Sequence, residues 1–411
     1  MHKVQVLFLA LLLGISARAA DFPIVYTYDT SKPQQAFELS VPVPDGNYLV
    51  TLQVGSRKFA GRTFVKSESR RLAVNDLATA KGEVKTVQFL VNKRDKTIRE
   101  AGKDPVDVIT KPRERFKLDW DDSINLEIAG DAPAVASVRI EPAPAGVTTI
   151  FLCGDSTVVD QDIEPWASWG QMFPWFFDTR VAVANYAESG ERADTFIGAG
   201  RLRKILTQMQ PGDYVFVEFG HNDMKLKGPG KGGYYFFATQ LKTFIDEVRA
   251  KGGIPVMVSP THRRNFDAEG RIVESHEDYP EAMEWVARRE GVPFLDLHTM
   301  SGIFYEAMGP EDSKKAFVHY KAGSFEGMPN DVADNTHFNT YGAFELAKCV
   351  VSALQTSGLP VSKHIVNFEG FSPAQPDAPE SFRWPLSPYR DTYGVQVLEQ
   401  HDAATTVRPA R

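Results

Sequence analysis

The 411-residue sequence predicts an α/β fold, a parallel sheet covered by helices, preceded by an all-β sandwich domain. Three observations lead there. Residues 21–145 keep a period-two apolar pattern with turn signals between the runs. The stretch "EPAPAG", residues 141–146, then interrupts as a Pro/Ala/Gly linker. Beyond it, short apolar runs alternate with helical patterns.

Residues 1–20 read as a signal peptide. His2 and Lys3 form a short basic start, "VQVLFLALLLGIS" is apolar but short for a membrane span, and "ARA" fits a small-residue cleavage site near residues 19–20. Export to the periplasm or the exterior is expected, and no later run predicts a membrane span. In residues 21–145, "FELSVPVPDGNYLVTLQVG" alternates on both sides of a Pro-Asp-Gly turn and predicts a hairpin. "VKTVQFLVNKR", "INLEIAG" and "ASVRIEPA" extend the pattern into a β-sandwich.

From 146 to 362 the strands are "TTIFLCG", "VAVANYA", "DYVFVEFG", "GIPVMVSP" and "VPFLDL". Helical stretches separate them, and "NTYGAFELAKCVVSALQTSG" closes the series. Residues 363–411 form a proline- and aromatic-rich C-terminal extension that wraps back over a domain, with a frayed "AATTVRPAR" end. Cys153 falls in a core strand and Cys349 in a helical pattern, and both read as buried free thiols, although an exported protein could pair them.

Open α/β sheets bind ligands beyond the carboxyl ends of their strands. The first strand ends there in "GDST", which puts Ser156 at its tip. Gly190 follows the second strand, "GHND" with His221, Asn222 and Asp223 follows the third, and "DNTHFNTYGA" places Asp334 three residues before His337. A serine hydroxyl needs a base before it attacks, and His337 can be that base. A carboxylate must hold the imidazole in the right tautomer, and Asp334 is close enough to do so. A developing oxyanion needs donors. The Ser156 and Gly190 amides and the Asn222 side chain are available, with Asp155 bracing the turn.

These four blocks resemble those of the SGNH (GDSL-like) hydrolase superfamily. Within it, "GDSTVVD", "WGQMFPWFF", "FVEFGHNDMK", "SPTHRRNFDAEGRI" and "DNTHFNTYGA" are similar to the rhamnogalacturonan acetylesterase family. The resemblance implies a flavodoxin-like three-layer α/β/α sandwich and a galactose-binding-like N-terminal domain. It also implies a nucleophile at Ser156, an acid–base pair at Asp334 and His337, oxyanion donors at Ser156, Gly190 and Asn222, and no metal or other cofactor. Threonine after Gly-Asp-Ser and Phe338 after His337 depart from the lipase-like pattern.

The expected activity is removal of O-acetyl groups from a plant cell-wall polysaccharide, rhamnogalacturonan before others. Trp166 and Trp169 are candidates for a sugar-binding rim, with Trp175 assigned to packing, and Arg263 and Arg264 are candidates for a uronic acid carboxylate. His221 and His298 read as structural. The net charge of −7 gives no sign of nucleic acid binding. Rival readings are an esterase for xylan, another glycan or lipid; a metal-dependent phosphodiesterase using Asp155, His221, Asp223, Asp334 and His337; and a carbohydrate-binding protein without catalysis. Oligomeric state stays open.

Overall fold

The computed structural model describes residues 22–388; the expected signal peptide and the expected frayed end lie outside the described residues. The first half contains β1 (Ile24–Thr27), β2 (Phe37–Pro42), β3 (Gly46–Val54), β4 (Gly61–Ser67), β5 (Arg71–Thr79) and β6 (Lys85–Lys93). The short pair β7 (Thr97–Ile98) and β8 (Val106–Asp107) follows, then β9 (Ser123–Ala129) and β10 (Val135–Pro142). Two antiparallel sheets result, ordered β1-β10-β3-β6 and β2-β9-β4-β5. Tyr48, Val50, Leu52 and Val54 of β3 meet Ile124, Leu126 and Ile128 of β9 in one core, so the sheets form a sandwich.

The expected hairpin is corrected. β2 pairs with β9, and β3 pairs with β10 and β6, so the Pro-Asp-Gly turn carries the chain from one sheet to the other. Alternation tells which face of a strand is buried; it does not name the neighbour on its edge.

The second half contains a parallel sheet of β11 (Thr148–Gly154), β12 (Val181–Asn185), β13 (Tyr214–Glu218), β14 (Ile254–Val258) and β15 (Phe294–Leu295), ordered β12-β11-β13-β14-β15. Ile150 and Leu152 of β11 face a layer that includes α1 (Trp169–Met172), α6 (Leu297–Asp312) and α7 (Thr340–Thr356). Phe151 and Cys153 face α2 (Ala193–Gly198), α3 (Arg201–Gln208), α4 (Ala238–Ala250) and α5 (Tyr279–Glu290). The fold is therefore a three-layer α/β/α sandwich joined to an all-β sandwich. Cys153 and Cys349 are free and buried on opposite sides of the sheet.

The fifth strand is shorter than its apolar run, because Asp296 accepts a hydrogen bond from Thr299 N (3.0 Å) and starts α6. An antiparallel pair was not anticipated: β16 (Phe317–Tyr320) with β17 (Val332–Phe338). In this strand order the sheet is built outward to one side of β11 and then to the other, so the switch point lies between β11 and β13, and the crevice at their carboxyl ends is the expected ligand position.

The halves are joined by more than a linker. Arg71, 2% exposed, pairs with Asp160 (2.7 Å) and Asp119 (3.2 Å). Arg70 pairs with Glu164 (2.5 Å) and donates to the carbonyls of Gln161 and Trp166. Trp175, in keeping with its packing role, touches both the α/β core and the sandwich core. The C-terminal extension crosses both halves. Trp384 donates to Glu164 (2.8 Å) and lies under Lys66, whose ammonium donates to Pro385 O (2.6 Å).

Candidate active site

Gly154 ends β11 because nothing larger fits. A β-carbon there would stand 2.4 Å from Val158 Cγ2 and 3.0 Å from the Glu218 carbonyl. The chain then turns on Asp155, whose carbonyl accepts from Val158 N and Val159 N and whose Oδ1 accepts from Thr157 N (3.0 Å). Ser156 stands on this turn, 7% exposed.

β17 delivers the partners. His337 Nε2 lies 2.8 Å from Ser156 Oγ, and His337 Nδ1 lies 2.7 Å from Asp334 Oδ2. Asp334 Oδ1 also accepts from the amides of Thr336 (2.8 Å) and His337 (2.9 Å), which fixes the carboxylate. Asp334 accepts from the protonated Nδ1, so Nε2 presents its lone pair to the serine hydroxyl. Burial works against the Asp334 charge, but the imidazole and the two amides outweigh it and bring its pKa down to about 2. For His337 burial favours the neutral ring, and the Asp334 charge outweighs it, so its pKa is raised above the ordinary imidazole value.

Two neighbouring loops close on this turn. Gly190, after β12, has φ 74°, a conformation that favours glycine. Asn222, after β13, is positioned by Lys225, which donates to its Oδ1 (2.9 Å). Asn222 Nδ2 donates to Glu191 O (3.0 Å) and lies 3.4 Å from Asp155 Oδ2, linking all three loops.

Behind the turn is a relay that sequence reasoning missed. Thr157 Oγ1 lies 2.9 Å from Asp155 Oδ1 and 2.8 Å from Glu218 Oε1, while Glu218 Oε2 accepts from Trp169 Nε1. One hydroxyl hydrogen cannot serve both carboxyls. Burial and the Asp155 charge push the Glu218 pKa up to about 8, so Glu218 is the protonated partner and donates to Thr157. The signal was present: a glutamate inside the apolar strand "YVFVEF" needs a partner.

Several expectations are corrected. Trp169 is 1% exposed and bonded to Glu218, and Trp166 is 5% exposed and packed with Val318, Met328 and Val332, so neither presents a face to a sugar. Arg264 is used by Ser313 (2.9 Å) and Asn335 (2.9 Å) to brace β17. Arg263 is different: its guanidinium donates to His221 O (3.0 Å) and Ser275 O (3.1 Å), with no salt-bridged carboxylate among the described residues. His221 makes no hydrogen bond through its ring among the described residues; it packs edge-on against His276, centroids 4.4 Å apart, and burial holds it neutral. His298 bonds Pro260 O (2.8 Å) and Glu274 (2.6 Å), a structural role.

The five residues of the metal reading do not converge. Asp223 accepts from Ala193 N (2.8 Å) and Gly220 N (3.1 Å), and Asp334 and His337 engage each other. Among the described residues, His262, His276 and His298 do bring ring nitrogens within 4.8 Å. The rings of His262 and His298 are stacked, 3.6 Å apart and 30° from parallel. Lone pairs lie in the ring planes, so a shared ion would require one ring to turn.

The family model described as "GDSL-like Lipase/Acylhydrolase family" matches residues 152–343. The rhamnogalacturonan acetylesterase RhgT of Bacillus subtilis (strain 168) is 41% identical over 223 residues, 54% of this chain and 95% of the relative. "Probable rhamnogalacturonan acetylesterase YesY" of the same organism is 33% identical over 220 residues, 53% of this chain and 97% of the relative. The solved structure of B. subtilis YxiM aligns over 82% of this chain and 85% of its own, with 24% identity and a TM-score of 0.47.

Proposed function

The chain belongs to the GDSL-like lipase/acylhydrolase family, a carboxylic ester hydrolase by that membership, and from this premise we propose that it removes O-acetyl groups from a pectin-type polysaccharide, rhamnogalacturonan first, through an acetyl-enzyme. One observation carries the proposal: the unbroken line from Asp334 through His337 to Ser156, with spacings of 2.7 and 2.8 Å. The names of the relatives RhgT and YesY support the substrate class.

In the proposed reaction Ser156 Oγ attacks the acetyl carbonyl as His337 Nε2 takes its proton. Asp334 stabilises the imidazolium that forms. The carbonyl oxygen, now an oxyanion, accepts from the Ser156 and Gly190 amides and from Asn222 Nδ2, which exchanges its long 3.4 Å contact to Asp155 for this stronger one. His337 then protonates the departing sugar oxygen, and a water deprotonated by the same ring releases acetate. Arg263, a cation bonded to carbonyls, takes the carboxylate of a neighbouring uronic acid. Export, expected from the apolar leader, would bring the enzyme to its polymer, and the N-terminal sandwich is proposed to be of the galactose-binding type.

The test is acetate release from acetylated rhamnogalacturonan by the wild type, by the wild type with chelator, and by Ser156→Ala. Chelator-resistant release that falls by at least about 10³-fold in the variant is expected. Release that survives Ser156→Ala would overturn the serine mechanism, and release from acetylated xylan alone would overturn the substrate.

A further inference from the structure

Between β8 and β9, in the sandwich half, the segment "KPRERFK" reaches across to the loop that follows β12. Lys111 Nζ donates to the carbonyl oxygen of Ser189 at 2.5 Å, and the Arg113 guanidinium donates to the same oxygen. That carbonyl belongs to the peptide whose N–H is the amide of Gly190. We propose that Lys111 and Arg113 are positioning residues for ester hydrolysis: from the sandwich, they orient and polarise the Ser189–Gly190 peptide so that its N–H meets the oxyanion as a stronger donor. The proposal rests on the reading of Gly190 as an oxyanion donor.

The physics is that of one amide. Its carbonyl and N–H are conjugated, so a charge-assisted bond accepted at oxygen withdraws electron density from nitrogen and acidifies the hydrogen. Hydrogen bonds chained through a peptide strengthen one another in a low-dielectric setting. Here one carbonyl accepts from two cations. A β-carbon on Gly190 would stand 3.5 Å from Lys111 Nζ and 3.8 Å from an Arg113 nitrogen, so both charges lie against this peptide.

Both cations are fixed before any substrate arrives. Arg113 Nε bonds Glu188 (2.7 Å), Lys117 bonds the other oxygen of Glu188 (2.9 Å), and Lys111 bonds Glu191 (2.9 Å). Burial opposes the Glu188 charge, but Lys117, Arg113 and Arg201 outweigh it and hold the carboxyl far below the usual range. The segment itself is clamped: Lys111 N donates to Glu114 (2.7 Å), and buried Glu114 pairs with Arg201 of α3 (2.6 Å). A donor aimed in advance costs no reorganisation when the oxyanion forms, which is what makes such donors effective. RhgT and YesY match 54% and 53% of this chain, the α/β half, so this contact is an addition to the core they share with it.

The experiment compares full-length Lys111→Met, Arg113→Met and the double variant with the charge-keeping pair Lys111→Arg and Arg113→Lys. Hydrolysis of 4-nitrophenyl acetate gives kcat and KM, methylboronic acid reports affinity for a tetrahedral anionic adduct on Ser156, and melting temperature reports folding. Removing a whole oxyanion donor costs about 10²–10³ in kcat, so losing its polarisation should cost about tenfold in the double variant, with KM nearly unchanged. Boronate affinity should fall in step, and the charge-keeping pair should retain most of both. An unchanged kcat in the methionine variants overturns the proposal. So does an equal loss in the charge-keeping pair, which would mark the contact as structural. Lys111, whose side chain is 32% exposed, gives a single variant that folds if the double one does not. Activity surviving in Ser156→Ala would overturn the functional reading instead.

Discussion

Glu218 shares the Thr157 hydroxyl with Asp155, and burial beside that charge favours its protonated form. It donates to Thr157 Oγ1 and accepts from Trp169, while burial and the neighbouring Asp155 charge disfavour a charge of its own. Its pKa is pushed up to about 8 from an ordinary 4.5, so between those values the folded chain holds a proton that the unfolded chain has released. The contribution of Glu218 to stability then falls as pH rises through this window, by at most about 1.4 kcal/mol per pH unit for one proton. Glu218→Gln keeps a donor for Thr157 and an acceptor for Trp169 without titrating. Its melting temperature should decline less between pH 5 and 8 than that of the wild type; parallel declines would show that Glu218 is ionised in the fold.

Among the elements, α7 sets the position of His337. Asn339 caps it, its Oδ1 accepting from Gly342 N at 3.0 Å, one residue beyond the end of β17. A β-carbon at Gly342 would fall 2.0 Å from the Ala316 carbonyl. Alanine improves intrinsic helix propensity by about 1 kcal/mol, but the collision is with backbone and cannot be relieved by a rotamer. Gly342→Ala should therefore lose about 1–3 kcal/mol in denaturant titration. It should also lower esterase turnover, because the displaced helix start carries β17 and His337 with it. The elements that could be read in advance share one property: an apolar run ending abruptly in polar residues, as in "TTIFLCGDST". β17 lacked it, since "VADNTHF" is mostly polar and shows no alternation. The partner of β2 was hidden for the opposite reason, because alternation looks the same whichever edge a strand adopts. Trp169 was misread because nearness to Ser156 in sequence says nothing of which way a ring points.

For the whole molecule, the boundary between the halves is where local pattern fails altogether. Arg70, Arg71, Lys111 and Arg113 sit in unremarkable polar stretches, yet each reaches a group of the α/β half. Arg71→Met would leave Asp160 and Asp119 buried with their shared cation gone. Breaking such a pair from one side costs about 3–5 kcal/mol. Adding Asp160→Asn should recover part of that loss, because a neutral amide needs no counter-charge, and a cycle of denaturation measurements on the four chains would read the coupling. Additive losses would mean that the pair contributes only packing.

Ser156 and the imidazole that bonds it are 181 residues apart. A ribosome adding about 5–20 residues per second needs roughly 10–40 s to cover that distance. For that interval the growing chain carries the serine turn with nothing to draw off its proton. On the proposed mechanism the nucleophile is made first and armed last, so translation itself would keep the unfinished polypeptide from attacking esters around it, and a chain cut short before β17 is expected to be inert however much of it has folded.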